Sequence, residues 1–493
     1  MKRHPRPYIT LAMIASLTLV TSHSALSRPI TVAGWPWADT HANLSSLESP
    51  PLTLGDDPAT GRLACPPLTR VNLAKGDSDP LILRSLRASS SPSHTWALEL
   101  RRGIHWWSGP EVSPHDIASF LERELPRLVQ YRGMGLWRLP TFTTSVQGDS
   151  ILIRWSSSPT FGPGVLDNAS LWRPQASAWE CAGHYRPAKR GPSLTLDPVR
   201  RGDGLRPIEF VPANSTQRAS LRFRMAAQVT SSDPKSLDTP SCKNDIDLPV
   251  FVVLSWNPDS PLASRRELRR VFTEIIPRGE ILRAGSAHLG TLVSAPIPRA
   301  HPGYASTVAI RDFDLLAASR TLDKLGFKRA DPASHRLTPE GKPLRLIIAA
   351  PSGSPTLLRK VITDSFAAIG VAVKFVTPED STPLDGRLEA VTVPWTLYDP
   401  ARLFHPASNP PNSWWAKTSS PEMRARLESF SLSLTRQPPD FNPLKRLHAT
   451  LSEDEMITVL LQQKACVESP NRLPPLQSTD PDWFRTALKS AGL

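Results

Sequence analysis

The most restrictive pattern in the chain lies between Leu344 and Val376. Leu344–Ala350 (LRLIIAA) reads as a strand, and Pro355–Ile369 as a helix with Leu358, Val361, Ile362, Phe366 and Ile369 on one face. Gly370 ends that helix, and Val371–Val376 (VAVKFV) reads as a second strand. Apolar spacing of three and four residues marks the helix, and short apolar runs bounded by turn residues mark the strands. A strand, a helix and a strand in that order predict a right-handed crossover between parallel strands. Leu388–Val393 is a further strand of the same sheet. The chain is therefore read as α/β with mixed sheets.

Other segments fill in the plan. Thr95–Trp106 alternates Trp96, Leu98 and Leu100 with Ala97, Glu99 and Arg101, as a half-buried strand does, and Ser108-Gly109-Pro110 is a turn. Ser113-Pro114-His115-Asp116 is a helix start, with an N-cap serine, proline in the first turn and an acid after it. Ile117, Phe120, Leu121, Leu125 and Leu128 are its apolar face. Ser145–Trp155 is a hairpin turning at Gly148-Asp149, and Pro249–Trp256 a buried strand. Ser264–Glu267 spells a capping box ahead of a helix with Leu268, Val271, Phe272 and Ile275 inward. Asp312–Leu325 is a helix closed by Gly326. Ser420-Pro421-Glu422 starts another, with Met423, Leu427, Phe430 and Leu434 inward. Ser156–Leu248 is rich in Pro, Ser and Arg and gives no periodic pattern.

The first residues read as an export leader. Lys2, Arg3 and Arg6 precede an apolar core, Tyr8–Thr21, and Ala25-Leu26-Ser27 places cleavage after Ser27. The first cysteine, Cys65, lies far downstream, so a lipid anchor is not expected. The net charge is +13, spread without long basic runs or an aromatic-studded basic motif, so nucleic acid is not expected as a partner. Cys65, Cys181, Cys242 and Cys466 suit an oxidising compartment and allow three pairings. The 52 prolines are about twice the usual frequency and make many connections rigid.

Catalytic patterns are not found. The sequence holds no GxSxG elbow, HExxH, Walker loop or GxGxxG after a strand, and its twelve His and four Cys show no metal-ligand spacing. Fourteen Trp against five Tyr is the unusual resource. Tryptophan offers a cleft large, rigid contact area and an N–H donor, although core packing accounts for most of them.

Four segments, taken in order, resemble the bacterial extracellular solute-binding proteins of family 5, the peptide- and nickel-binding components of ABC importers. Trp96–Arg123 is similar to that family's strand-turn-helix signature through Leu100-Arg101, Trp107, Gly109 and Asp116-Ile117. Trp256-Asn257, Arg269 and Pro277–Leu282 resemble its next run, with Pro277 in place of the usual Asp. Gly290–Tyr304 is similar to the Pro-rich loop that follows, and Ala317–Phe375 to the helix, turn and strand after it. The resemblance covers most of Trp96–Leu451.

The resemblance implies a two-lobe periplasmic binding protein fold (type II-like) with an extra domain inserted in the N-terminal lobe. The expected division is a leader at 1–27, lobe I at 28–65, an inserted domain at 66–155, lobe I again at 156–250, lobe II at 251–450 and a return to lobe I at 451–493. It implies no catalysis, and from the absence of ligand spacing neither a cofactor nor a metal site is expected. The expected role is a receptor of an ABC importer in a Gram-negative periplasm, capturing a peptide or similar small polar solute and presenting it, as a monomer, to an inner-membrane permease. In peptide-binding members a Trp-rich segment carries an Asp that pairs with the ligand's α-amino group. The corresponding stretch is Pro394–Pro406 (PWTLYDPARLFHP), which is shorter, with Asp399 its only acid. The candidate ligand-binding residues are Trp395, Tyr398, Asp399, Asn412, Trp414, Trp415, Trp35 and Trp37. The alternatives are a family homologue that serves as a periplasmic interaction or chaperone-like module, and a secreted hydrolase.

Overall fold

The computed structural model describes residues 29–33, 63–72, 75, 77–89, 94–133, 139–157, 159, 162–175, 179–190, 193–200, 205–211, 219–225, 244–285, 290–331, 334–351, 354, 356–379, 382–393, 414, 421–433, 440–476 and 483–491.

After β1 (Ile30–Ala33), the hairpin β2 (Thr69–Asn72) and β3 (Asp77–Pro80) leads into a four-stranded antiparallel unit. Its strands are β4 (Leu83–Ser89), β5 (Thr95–Leu100), β6 (Phe142–Gln147) and β7 (Ser150–Trp155), in the order β4-β5-β7-β6, with helix α1 (Pro114–Gly133) packed on them. The alternation expected of β5 is present: Trp96, Leu98 and Leu100 are buried. The strand stops at Leu100, short of Trp106, and the backbone turns at Gly103 (φ 77°). Ser113 caps α1 reciprocally: its Oγ accepts from the Asp116 N–H (3.2 Å), while Asp116 Oδ2 accepts from the Ser113 N–H and hydroxyl (2.8 Å each). All five expected apolar residues of α1 are buried. The hairpin turns at Gly148 (φ 59°), as expected.

The stretch without periodicity contains short strands. β8 (Trp172–Pro174) pairs with β9 (Trp179–Cys181), and β10 (Tyr185–Arg190), β11 (Ser193–Pro198), β12 (Ile208–Val211) and β13 (Leu221–Met225) join a large sheet. Segments of three to six residues are too short to display a period. A disulfide joins Cys65 to Cys181, 116 residues apart. Beside it Gly183 packs so closely that a Cβ would stand 2.5 Å from the Ala64 carbonyl oxygen. Cys466 is disulfide-bonded as well, and Cys242 lies outside the described residues.

From β14 (Asp245–Trp256) onward the sequence is more legible. Helix α2 (Arg266–Glu274) forms and buries Leu268, Val271 and Phe272, with Ile275 buried just beyond it, but not through the expected capping box. Arg265 occupies the cap position without a side-chain bond, and the Ser264 N–H is held by the Ser260 carbonyl at 2.9 Å. That bond holds Ser264 in the preceding turn, and the buried Arg269 guanidinium donates to the Ser264 carbonyl at 2.8 Å. Next come α3 (Arg278–Gly285), β15 (Gly290–Thr291) and α4 (Leu315–Lys324). Helix α4 starts three residues later than expected because Asp314 is its cap, accepting from the Ala317 N–H at 2.8 Å. Gly326 (φ 88°) closes it.

The crossover is as expected. β16 (Arg345–Ala349) and β17 (Ala372–Val376) are parallel, from Arg345 opposite Ala372 to Ala349 opposite Val376. Between them α5 (Thr356–Ala368) buries Leu358, Ile362 and Phe366, and Gly370 (φ 81°) follows. β18 (Gly386–Thr392) pairs with β16 in parallel and with β14 antiparallel. Helix α6 (Pro421–Ser433) buries Met423, Leu427 and Phe430; Leu434 lies outside the described residues. Then follow α7 (Asn442–Asp454), β19 (Ile457–Glu468) and α8 (Trp483–Ser490).

One sheet runs through the molecule in the order β10-β11-β12-β1-β13-β19-β14-β18-β16-β17, with β15 also on β19. Three apolar cores lie along it. One gathers Ile30, Phe210, Phe223 and Trp483; one gathers Trp256, Phe272, Leu346 and Phe366; the third joins the four-stranded unit to α6 and α7. β14 and β19, twelve residues each, are the long strands that reach all three.

Candidate ligand cleft

Proline in the interior of a central strand removes a ladder donor and belongs at a bulge. Pro249 of β14 does this. Asp247 is opposite Lys464, but the next partners are Phe251 and Gln462, so β14 holds extra residues where it passes from one core to another. On the other edge of β19 the partner changes at the same level. β13 pairs with it from Ala465 to Glu468, and β15 takes over at Gln463 and Gln462. Both long strands thus change partner or register at this level, and their ladder slips once more between Val252 and Val253.

A polar cluster sits there. Lys464 pairs with Asp245 (2.6 Å) and Asp247 (3.9 Å), and the Thr291 hydroxyl donates to Asp247 at 3.1 Å. Burial pushes the Asp247 carboxyl above the usual carboxylate range, against the opposing pull of Lys464 and Thr291. Gln462, fully buried, donates to the Leu248 carbonyl (3.0 Å) and accepts from the Arg299 N–H (3.2 Å), bracing the bulge. These residues were not among the sequence candidates. Their signals were a proline within an apolar run and the triplet Gln462-Gln463-Lys464 inside an apolar strand.

The second part of the site is the face of β18 that carries Arg387 and Glu389, ahead of the segment holding most of the candidate residues. Of the candidates, Trp414 is described: it is half-buried, and the Arg387 guanidinium lies over its ring, 4.7 Å from the centroid. Such stacking leaves the guanidinium edge available to acceptors. The Ser255 hydroxyl donates to Glu389 at 2.5 Å; burial raises the Glu389 carboxyl, while Ser255 and the Arg387 charge oppose the rise. Trp395, Tyr398, Asp399, Asn412, Trp415, Trp35 and Trp37 lie outside the described residues. Of the nine described tryptophans seven are buried in the cores, leaving Trp107 and Trp414 half-exposed. Among the described residues no group of three His, Cys, Asp or Glu is placed to hold a metal ion, and no helix is long and apolar enough to cross a membrane.

Solved structures share this architecture. NikA from Brucella suis in complex with Fe(III)-EDTA superposes with a TM-score of 0.71 at 14% identity, covering 92% of this chain and 99% of that one. The oligopeptide-binding protein AppA from Bacillus subtilis, in complex with a nonapeptide, gives 0.67 at 13% identity, with 94% and 98% covered. A periplasmic oligopeptide-binding protein of an ABC transporter from Thermotoga maritima gives 0.68 at 17% identity, again with 94% and 98% covered. No family model matches the sequence, and no curated protein matches it. The fold is thus the two-lobe fold of periplasmic binding proteins, and these neighbours are solute-binding proteins of the kind that Trp96–Leu451 resembles.

Proposed function

We propose that the protein is an exported solute receptor for an ABC importer, closing its two lobes on a peptide or similar small polar solute. The observation that carries this reading is the shared level at which β14 and β19 change register and partner. It supplies the hinge that a two-lobe receptor needs and that a rigid scaffold does not. Ligand bound between the lobes selects the closed form, and a permease reads that form. The lobes are taken as 28–65, 156–250 and 451–493 on one side and 251–450 on the other, with 66–155 inserted. The β14 register shift lies beside the 250/251 boundary, whereas β19 changes partner between Gln463 and Ala465, so we place the return to the first lobe there and Ile457–Gln463 with the second. Trp395, Tyr398 and Asp399 remain the proposed ligand contacts, joined by Trp414 on its Arg387 support. The Cys65–Cys181 bond supports export to an oxidising compartment.

Native mass spectrometry of protein isolated from its own host without denaturation tests the reading. A peptide, chelate or other small solute bound in one copy is the expected result. A bare chain, together with no change in radius of gyration on adding mixed peptides, would overturn it.

A further inference from the structure

A cavity of about 370 Å³ opens at the start of α3, on the side of lobe II that adjoins the hinge. Arg278, Gly279 and Glu280 form one wall, and Leu292 and Phe313 give it apolar surface. Leu292 directly follows β15, whose Thr291 bonds Asp247 at the β14 bulge.

Arg278 is 8% exposed, and its Nε has no hydrogen-bond partner among the described residues. Its Nη1 donates to the Arg311 carbonyl at a long 3.4 Å. The neighbouring Arg311 guanidinium is committed to Glu455. A guanidinium carries five N–H donors and no acceptor, so Arg278 is buried well short of its needs. Burial pulls its pKa down to about 10, although Glu455 attracts it. The first turn of α3 is open too. Pro277 has no side-chain acceptor, the Glu280 and Ile281 N–H groups both go to the Pro277 carbonyl (2.9 and 3.0 Å), and that of Arg278 to Ile276 (2.9 Å). The Gly279 N–H has no backbone partner among the described residues. The charge then reverses: Glu280 and Asp312, both exposed, line the same cavity.

We propose that this cavity is a second binding site, separate from the interlobe cleft, for a free α-amino acid with an apolar side chain. The carboxylate meets the Arg278 guanidinium and the Gly279 N–H, the ammonium faces Asp312 and Glu280, and the side chain rests on Leu292 and Phe313. A phosphate would bring a second negative charge against the two acids. An amine without a carboxylate would leave Arg278 unmet. The amino acid satisfies both ends, and the site owes nothing to what the cleft binds.

Calorimetry on the full chain tests this with three probes: L-leucine, 4-methylpentanoate (the same body without the ammonium) and 3-methylbutylamine (without the carboxylate). Leucine is expected to bind, 4-methylpentanoate to bind about tenfold more weakly, and the amine not to bind. Asp312→Asn, an exposed change that leaves the fold intact, should weaken leucine about fivefold and leave 4-methylpentanoate unchanged. Arg278→Lys should weaken both carboxylates about tenfold. Leucine binding that neither substitution alters would belong to another site and overturn the proposal, as would no binding at millimolar leucine.

Discussion

Arg336 and Arg278 are both almost wholly buried, at 2% and 8% exposure, yet their surroundings treat them differently. Arg336 lies where α4 and α5 end. Its Nε donates to the Ile369 carbonyl at 2.8 Å, its Nη1 to the Phe327 carbonyl at 2.5 Å and to Asp323, and its Nη2 to Ser319. The carbonyls at a helix C-terminus have no partner within the helix, and this one side chain serves the ends of two. Arg278 stands at a helix start, where the open groups are donors like itself, and among the described residues only a long bond to the Arg311 carbonyl engages its guanidinium. Burial alone therefore does not say what an arginine is for. A guanidinium among carbonyls is a structural clasp, whereas one among N–H groups is short of an anion.

Three measurements press on that difference. Arg336→Met should cost the most, about 4 kcal/mol in urea unfolding, because it strands several buried carbonyls at once; a loss under 1 kcal/mol would erase the distinction. The second concerns the segment that borders the Arg278 cavity. His448 of α7, fully buried, receives the Ala305 N–H on Nδ1 (2.9 Å) and meets the Ser294 hydroxyl through Nε2 (2.8 Å). Burial lowers its pKa from 6.5 to about 4, so between those values the unfolded chain binds the proton and the folded one does not. Stability is full above pH 6.5 and falls as pH drops toward 4, by about 3 kcal/mol at the limit. His448→Gln should remove that slope, and Arg336→Met should leave it alone; unfolding curves at pH 7 and pH 4.5 read both. The smallest effect is expected of Arg278→Met, about 1 kcal/mol in the same assay, since a single long bond is lost. A loss matching that of Arg336→Met would mean that Arg278 is a clasp too.

The same contrast marks how far the sequence could be read. The β16-α5-β17 crossover and the α1 start were legible because the groups that shape them are local: apolar residues at helical spacing, and Ser113 three residues from Asp116. The capping box at Ser264 was legible and unused, since the Ser264 N–H is held by the Ser260 carbonyl in the preceding turn and Arg265 takes the cap position. The strand expected from Pro249 begins at Asp245, because proline read as a strand start was in fact a bulge within one. That single misreading hid the register shift and its polar cluster. Asp247, Thr291 and Lys464 come from three distant parts of the chain and meet only in the sheet. The candidate residues of the cleft rest on resemblance, and Trp414 alone among them falls within the described residues.

The bond between Cys65 and Cys181 makes the whole four-stranded unit, from β4 to β7, an arc of a covalent ring. A protease that cuts once inside that ring opens the loop without dividing the molecule. The nicked chain stays in one piece, travels as one band, and separates into two pieces only when a thiol is added. In a compartment where proteases are plentiful and reductants are not, the ring works as insurance against loss of half the molecule.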